Sequence, residues 1–149
     1  MRILMTGHRG YIGTLAVPLF LDAGHEVVGM DTDLYRACTF GSDIGPAGRI
    51  ACIEKDVRDA TVDDCRGFDG VVHLAALSND PLGNLNPQLT FAINHEAPVH
   101  LARCAKAAGV KRFVFSSSCS NYGSAGDDMI DETGALNPIT PYGQSKVMA

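Results

Sequence analysis

Thr6-Gly7-His8-Arg9-Gly10-Tyr11-Ile12-Gly13 decides the fold of this 149-residue chain. An apolar run of strand length, Arg2–Thr6, leads into it, and an apolar helix-length segment over Tyr11–Ala23 leads out, with Gly24 placed to cap the helix. Three glycines between a strand and a helix allow a tight turn, a close backbone approach to a pyrophosphate, and close helix–strand packing. The helix N-terminus adds partial positive charge for phosphates. A glycine triad alone is equally a tight turn with no ligand, so its surroundings must decide. The next strand, Glu26–Asp31, closes on a carboxylate eighteen residues beyond Gly13. That is near the spacing of about 20 expected for the acid that binds the adenosine ribose hydroxyls. A carboxylate there repels a 2′-phosphate, which favours NAD over NADP. Arg9 in the glycine turn pulls toward NADP, and Asp33 is a competing carboxylate, so both alternatives stay open.

Strand-length and helix-length segments keep alternating, which is the pattern of βαβ units around a parallel sheet in an α/β fold. Thr32–Gly48, with glycines and Pro46, reads as a long surface connection. Arg49–Lys55 is expected as a third strand, Thr61–Arg66 as a short helical segment and Gly70–Ala75 as a fourth strand buried on both faces. Asn86-Pro87 starts a long helix that Gly109 ends, and Lys111–Ser117 is a fifth strand. Pro18 and Pro98 fall inside helices and should kink them. Thr140-Pro141 starts a last helix that reaches Ala149 after nine residues, so the chain is expected to stop inside a structural element.

Twelve basic against seventeen acidic residues give a net charge of −5, which opposes nucleic acid or anionic lipid as a main partner. No apolar run reaches the ~18 residues of a membrane span, and no secretory signal is read at the start. The five cysteines show no C-x-x-C pair, so reduced thiols in a cytoplasmic protein are expected, without disulfide or metal site.

Tyr142-Gly143-Gln144-Ser145-Lys146 places a phenol and an ammonium at i and i+4 on one helical face. A free tyrosine, with a pKa of about 10, is a poor base at neutral pH. A nearby cation favours the phenolate, which can then take a hydroxyl proton while hydride leaves the same carbon. Such a pair alone is equally an amphipathic surface pair. The order of the parts discriminates: glycine turn, acidic strand end, a fifth strand ending in Ser116-Ser117-Ser118, then Tyr–Lys.

With these motifs, and with Asp56-Val57, His73-Leu74-Ala75-Ala76, Ser116 through Gly123 and Pro141 through Lys146, the whole chain resembles the extended short-chain dehydrogenase/reductases. The likeness is closest to their nucleotide-sugar epimerase/dehydratase branch, of the UDP-galactose 4-epimerase type. The resemblance implies a Rossmann-type doubly wound parallel sheet, here with five strands in the order 3-2-1-4-5. It implies that residues 1–149 form a dinucleotide-binding domain truncated inside the Tyr-x-x-x-Lys helix, with the substrate domain and the C-terminal part of the fold absent. Ser118, Tyr142 and Lys146 match the family's catalytic set. Gly7, Gly10, Tyr11, Ile12 and Gly13 match its pyrophosphate turn, and Asp31 the ribose carboxylate. Asp56 and Val57 match the pair beside the adenine, and Leu74, Ala75 and Ala76 the stretch along the cofactor. Asn94 matches a cofactor-contacting helix residue, and Tyr142 and Lys146 contact the cofactor too. The implied activity is NAD-dependent epimerisation of a nucleoside-diphosphate sugar through a transient keto-sugar. Reductase, decarboxylase or dehydratase chemistry on the same substrates is the alternative, and a non-catalytic dinucleotide-binding fragment is a third reading. Sugar 4,6-dehydratases of the group carry Thr-Asp-Glu where this chain has Ser118-Cys119-Ser120, which weighs against water elimination. The family also implies homodimers through the helices carrying Asn94 and Tyr142. The 149 residues alone are expected to be inactive and, through the strand edge Phe113-Val114-Phe115, prone to self-association.

Several residues carry no assigned role. His8 touches phosphate or is a solvated loop residue, and His25, His73, His95 and His100 are structural. Cys119 has no histidine placed to activate it and is read as packing. Asp127-Asp128 and Asp131-Glu132 are read as a solvated loop face.

Overall fold

A computed structural model describes residues 1–38, 44–123 and 129–149. Asp127 and Asp128 lie outside the described residues, as does part of the connection after the second strand. In chain order the elements are β1 (Arg2–Thr6), α1 (Tyr11–Asp22), β2 (Glu26–Asp31), β3 (Cys52–Glu54), β4 (Gly70–His73), α2 (Asp80–Leu85), α3 (Pro87–Phe91), a π turn (Ala92–Glu96), α4 (Ala97–Ala107), β5 (Arg112–Phe115) and α5 (Pro141–Met148). The described residues form two compact units, residues 1–75 with 100–116, and residues 76–99 with 117–149.

The first unit is a five-stranded, wholly parallel sheet in the order β3-β2-β1-β4-β5, the order expected from the sequence. Leu4 and Met5 of β1, the central strand, are fully buried. Met5, Val17 of α1, Val27 of β2 and Ala47 form a core cluster, with Phe20, Ile44, Val72 and Leu74 packed on it. Burying each such aliphatic side chain is worth about 1.5–3 kcal/mol. Ala47 corrects the reading of Thr32–Gly48 as a surface connection. Its 3₁₀ turn, Gly45–Gly48, supplies a fully buried methyl and packs on α1, taking a role that a crossover helix would otherwise fill.

β3 is shorter than the expected Arg49–Lys55. It is an edge strand that pairs only with Gly29–Asp31 of β2, and the 3₁₀ turn before it occupies Arg49 through a hydrogen bond to the Pro46 carbonyl. β4 likewise ends at His73 rather than Ala75. Leu74 N–H still reaches the Thr6 carbonyl at 3.1 Å, but the Ala75 N–H turns to the Thr6 hydroxyl at 3.3 Å as the chain leaves the sheet. The expected fifth strand shortens to β5, with alternate residues half-buried.

The second unit is helical. α2 was not anticipated as an element. Asn79 caps it by accepting from Leu82 N–H, with Pro81 in its first turn. Asn86 caps α3 as the sequence predicts, accepting from Leu89 N–H at 3.0 Å. The expected kink at Pro98 takes the form of a π turn immediately before it, in which the Ala97 N–H reaches back to the Ala92 carbonyl. The wider turn shifts the ladder by one residue just where proline has no N–H to give. Pro18 lies within α1, which runs unbroken past it.

Candidate functional site

In the first unit, the C-terminal ends of the parallel strands share one edge, and the glycine turn leaves that edge from β1. Gly7 has φ +71°, and a Cβ there would lie 2.6 Å from Ala75 N. The turn is thus held against Leu74 and Ala75, with the Gly7 N–H bonded to the Met30 carbonyl at 2.9 Å. A Cβ on Gly13 would lie 2.5 Å from the Gly7 carbonyl, so α1 can start this close only with glycine there. Gly10 differs. It is exposed, and an added Cβ would meet only the Gly7 carbonyl, at 3.2 Å, which leaves its backbone open to a ligand. Tyr11 and Ile12, the first residues of α1, are exposed beside it.

Asp31 closes β2 with both carboxylate oxygens engaged. Oδ1 accepts from Asp33 N–H at 2.8 Å and Oδ2 from Arg9 N–H at 3.1 Å, which fixes the carboxylate next to the glycine turn. The Lys55 N–H donates to the Asp31 carbonyl and so sets Asp56 and Val57 directly after the β2–β3 edge. Arg58 grips the Asp56 carboxylate at 2.7 and 3.0 Å and, with its backbone N–H, holds that carboxyl below its usual range; Val57 is buried. The donor set suits a dinucleotide: a glycine turn whose exposed member offers bare backbone, a helix N-terminus for phosphate, and a fixed carboxylate for a ribose diol.

His8 is not solvated. Its side chain is fully buried, and a Cβ on Gly29 would sit 2.3 Å from the imidazole, so the ring fills the space that Gly29 leaves on β2. Neither ring nitrogen meets a partner at hydrogen-bonding geometry, and Asp31 Oδ2 is 3.8 Å from Nδ1. Burial pushes its pKa below the ordinary 6.5, against the pull of Asp31. Nothing in the sequence of either residue announces this pair; only their juxtaposition across β1 and β2 does. His73 and His100 are structural as expected, His73 Nδ1 at 2.8 Å from the Thr6 hydroxyl and His100 Nε2 at 2.7 Å from the Ala60 carbonyl. The five cysteines form no disulfide, and Cys119 is exposed rather than packed, because it sits on the outside of a 3₁₀ turn. Asp131 and Glu132 are exposed, as the sequence suggests. Among the described residues no group of three or more His, Cys, Asp or Glu could hold a metal ion.

The second unit gathers Ala76, Asn94, Ser118, Tyr142 and Lys146. Asn94 is fully buried in the π turn, and its amide clamps the backbone of Leu77, accepting from its N–H at 2.9 Å and donating to its carbonyl at 3.0 Å. It therefore fixes the segment that begins at Ala76. Ser118 caps the 3₁₀ turn Cys119–Tyr122, its hydroxyl accepting from Ser120 N–H at 3.1 Å. Thr140 caps α5 through Gly143 N–H and donates to Asp80, the first residue of α2. Gly143 was overlooked at the sequence level. A Cβ there would lie 2.7 Å from the Ser120 carbonyl, so α5 seats against the Ser118 turn only because residue 143 has no side chain. The available signal was a glycine inside a helix, which costs about 1 kcal/mol unless packing demands it.

Tyr142 and Lys146 are both buried, 9% and 5% exposed, with the Lys146 ammonium 6.0 Å from the Tyr142 ring centre. Burial pushes the Lys146 ammonium down to about 8 from its ordinary 10.5. A surface pair would not be enclosed in this way, so the reading of Tyr–Lys as an amphipathic accident is set aside.

Residues 3–149 match the model of the NAD dependent epimerase/dehydratase family. The chain belongs to this family. The UDP-glucose 4-epimerase of Streptomyces lividans is similar to it, 31% identical over 98% of this chain and 44% of its own length. This chain thus spans less than half the length of such relatives. Among solved structures, the UDP-glucose 4-epimerase of Stenotrophomonas maltophila with bound NAD superposes with a TM-score of 0.86 at 30% identity, over 99% of this chain and 46% of the other. A dTDP-glucose 4,6-dehydratase from Streptomyces venezuelae, with NAD bound, gives 0.86 at 32% identity over 99% and 49%. Epimerases and dehydratases of the family thus share this architecture, and overall likeness does not separate the two chemistries.

Proposed function

We propose that the protein carrying these residues is an NAD-dependent nucleoside-diphosphate-sugar epimerase acting through a transient keto-sugar. The observation that carries the reading is the burial of Tyr142 with Lys146 on α5, seated on the Ser118 turn through Gly143. Bound NAD supplies a reversible hydride acceptor for the sugar carbon. In this reading the Tyr142 phenol takes the proton of the reacting sugar hydroxyl and later returns it. Lys146 holds the nicotinamide ribose and favours the phenolate by its charge. The Ser118 hydroxyl orients the reacting oxygen. Gly7, Gly10, Tyr11, Ile12 and Gly13 take the pyrophosphate, and Asp31 the adenosine ribose. Asp56 and Val57 flank the adenine, and Leu74, Ala75 and Ala76 run along the dinucleotide. Asn94 is a positioning residue for that last stretch, through Leu77. The helices carrying Asn94 and Tyr142 are proposed to form a homodimer contact.

Epimerisation is preferred to dehydration because positions 119 and 120 are Cys and Ser, which leaves no acid–base pair beside Ser118 to assist loss of water. A panel of nucleoside-diphosphate sugars, offered with NAD to the protein expressed from its full reading frame, tests this. Formation of an epimer without net NADH is the expected result. Accumulating NADH, released CO₂ or a 4-keto-6-deoxy product would replace the epimerase reading with one of its relatives.

A further inference from the structure

α2 is too short to hold its own place, since six residues make less than two turns of helix. Side chains of the second unit hold it instead. The Asn94 amide clamps Leu77 just ahead of it, and Asn79 caps it by accepting from Leu82 N–H at 2.9 Å. The fully buried Thr90 of α3 shares its hydroxyl proton between the carbonyls of Gly83 and Asn86, at 2.9 and 3.0 Å. Asp80 Oδ1, on the first residue of α2, accepts the Thr140 hydroxyl at 2.5 Å. Two of the residues so held lead to Tyr142. Gly83 is buried against α5, where a Cβ on it would lie 3.2 Å from Tyr142 Cβ and 3.5 Å from Tyr142 N. The Thr140 hydroxyl that Asp80 receives is the one that caps α5, accepting from Gly143 N–H at 3.1 Å. A hydroxyl has one proton to give. With that proton committed to a carboxylate, its lone pairs are left to the Gly143 amide, for which it is then the stronger acceptor. Tyr142, the second residue of α5, lies between the cap residue and the amide that the cap holds. α2 therefore touches the Tyr142 stem through Gly83 and fixes its backbone turn through Asp80.

We propose that Asp80 and Gly83 are positioning residues for the Tyr142 phenol, with α2 serving as the wall that sets where the phenol stands. The proposal rests on the epimerase reading above, in which Tyr142 takes the sugar hydroxyl proton. That transfer needs the phenol within about 2.6–3.2 Å of the reacting hydroxyl. A displacement of ~1 Å costs about a hundredfold in rate. A role confined to α2 itself would use the Asp80 charge at the positive end of that helix. Such a role depends on charge, whereas positioning depends on an acceptor oxygen at the Thr140 hydroxyl. Asparagine supplies the oxygen without the charge and so separates the two.

The test uses Asp80→Ala, Asp80→Asn and Gly83→Ala in the protein from its full reading frame, with two readouts. Hydrogen exchange at the Gly143 amide, without substrate, is expected to quicken about tenfold in Asp80→Ala and to return most of the way in Asp80→Asn. Steady-state epimerisation of the nucleoside-diphosphate sugar that the wild type turns over should lose about ten- to a hundredfold in kcat in Asp80→Ala. KM should change by less than about twofold, and Asp80→Asn should restore most of kcat. Gly83→Ala leaves the Thr140 cap in place and should lower kcat about fivefold through the Tyr142 stem, which keeps the test decisive if Asp80→Ala fails to fold. Wild-type kcat in Asp80→Ala and Gly83→Ala, or equal losses in Asp80→Ala and Asp80→Asn, overturns the inference. Faster exchange at Gly143 with kcat intact overturns it too, since the tie would then hold α5 without serving the phenol. A wild type that epimerises no nucleoside-diphosphate sugar sinks the epimerase reading itself, and hydrogen exchange would still show whether Asp80 holds α5.

Discussion

Lys146→Met should make the protein more stable and less active. Lys146 is 5% exposed and its pKa falls from 10.5 to about 8 through burial, so the charged form is less favourable in the folded chain than in the unfolded one. That interval corresponds to about 3 kcal/mol. The sign follows from proton counts. Between pH 8 and 10.5 the unfolded chain holds a proton that the folded chain has released, so stability rises with pH across this window. Above 10.5 the penalty is absent, and below about 8 it is fully present. Methionine fills a similar volume without a charge, so the variant should gain about 1–3 kcal/mol at pH 7, less what Lys146 gains from its contacts in the fold, the Tyr142 ring among them. For a domain of this size that raises the melting temperature by about 3–9 °C. The gain should shrink toward zero by pH 10.5, as wild type loses its penalty. Thermal unfolding of both proteins without cofactor at pH 7, 8, 9 and 10 measures the difference directly. Turnover should meanwhile fall by about a hundredfold or more, because the phenol loses its cationic neighbour. A variant less stable than wild type at pH 7, or a difference flat across the series, would refute the claim that the fold holds this ammonium at a cost.

Two further substitutions probe how the sites are seated. Gly143→Ala places a Cβ 2.7 Å from the Ser120 carbonyl, a backbone atom that cannot swing aside, and should cost about 1–3 kcal/mol in denaturant unfolding. Because the shift separates α5 from the Ser118 turn, kcat should fall further than stability alone explains, and a variant with wild-type kcat would detach Gly143 from the site. Gly29→Ala drives a methyl into the buried His8 ring at 2.3 Å and should cost about 2 kcal/mol, and combining it with His8→Ala should recover most of the loss. Additive losses in the double variant would mean that the two residues do not share one space.

The sheet was legible because its signals are local and repeated. Arg2–Thr6 and Glu26–Asp31 are short apolar runs that meet punctuation at both ends, and the observed strands have the same limits. The third strand was overestimated because a hydrophobic pattern reports which residues can pair, whereas the preceding 3₁₀ turn still holds Arg49 and β3 stops where β2 ends. Caps were legible for the same local reason, at Asn86 and Thr140. α2 was not, since six residues with a single turn's worth of pattern carry almost no periodicity. At the sites, Gly7, Gly13 and Asp31 could be read from spacing because that spacing is itself the geometry of a strand–turn–helix unit. His8 with Gly29, Asp80 with Thr140, and Gly143 with Ser120 could not, because each is a contact between separate elements.

Several features of the structure share a physical character. A well-behaved local sequence would not bury an ammonium, hold Asp33 at φ +53°, leave an imidazole without hydrogen bonds, or open a π turn around a buried asparagine. The left-handed aspartate and the unsatisfied imidazole each cost about 1–3 kcal/mol where they stand. All four fall on or beside a residue that the sequence marked for chemistry: Tyr142, Asp31, the glycine turn and the segment at Ala76. A fold selected for stability alone would shed such features one at a time, since single substitutions remove them. At Tyr142, Asp31 and the glycine turn, which motif and spacing mark without the likeness, this coincidence argues for function in the same places as the family does.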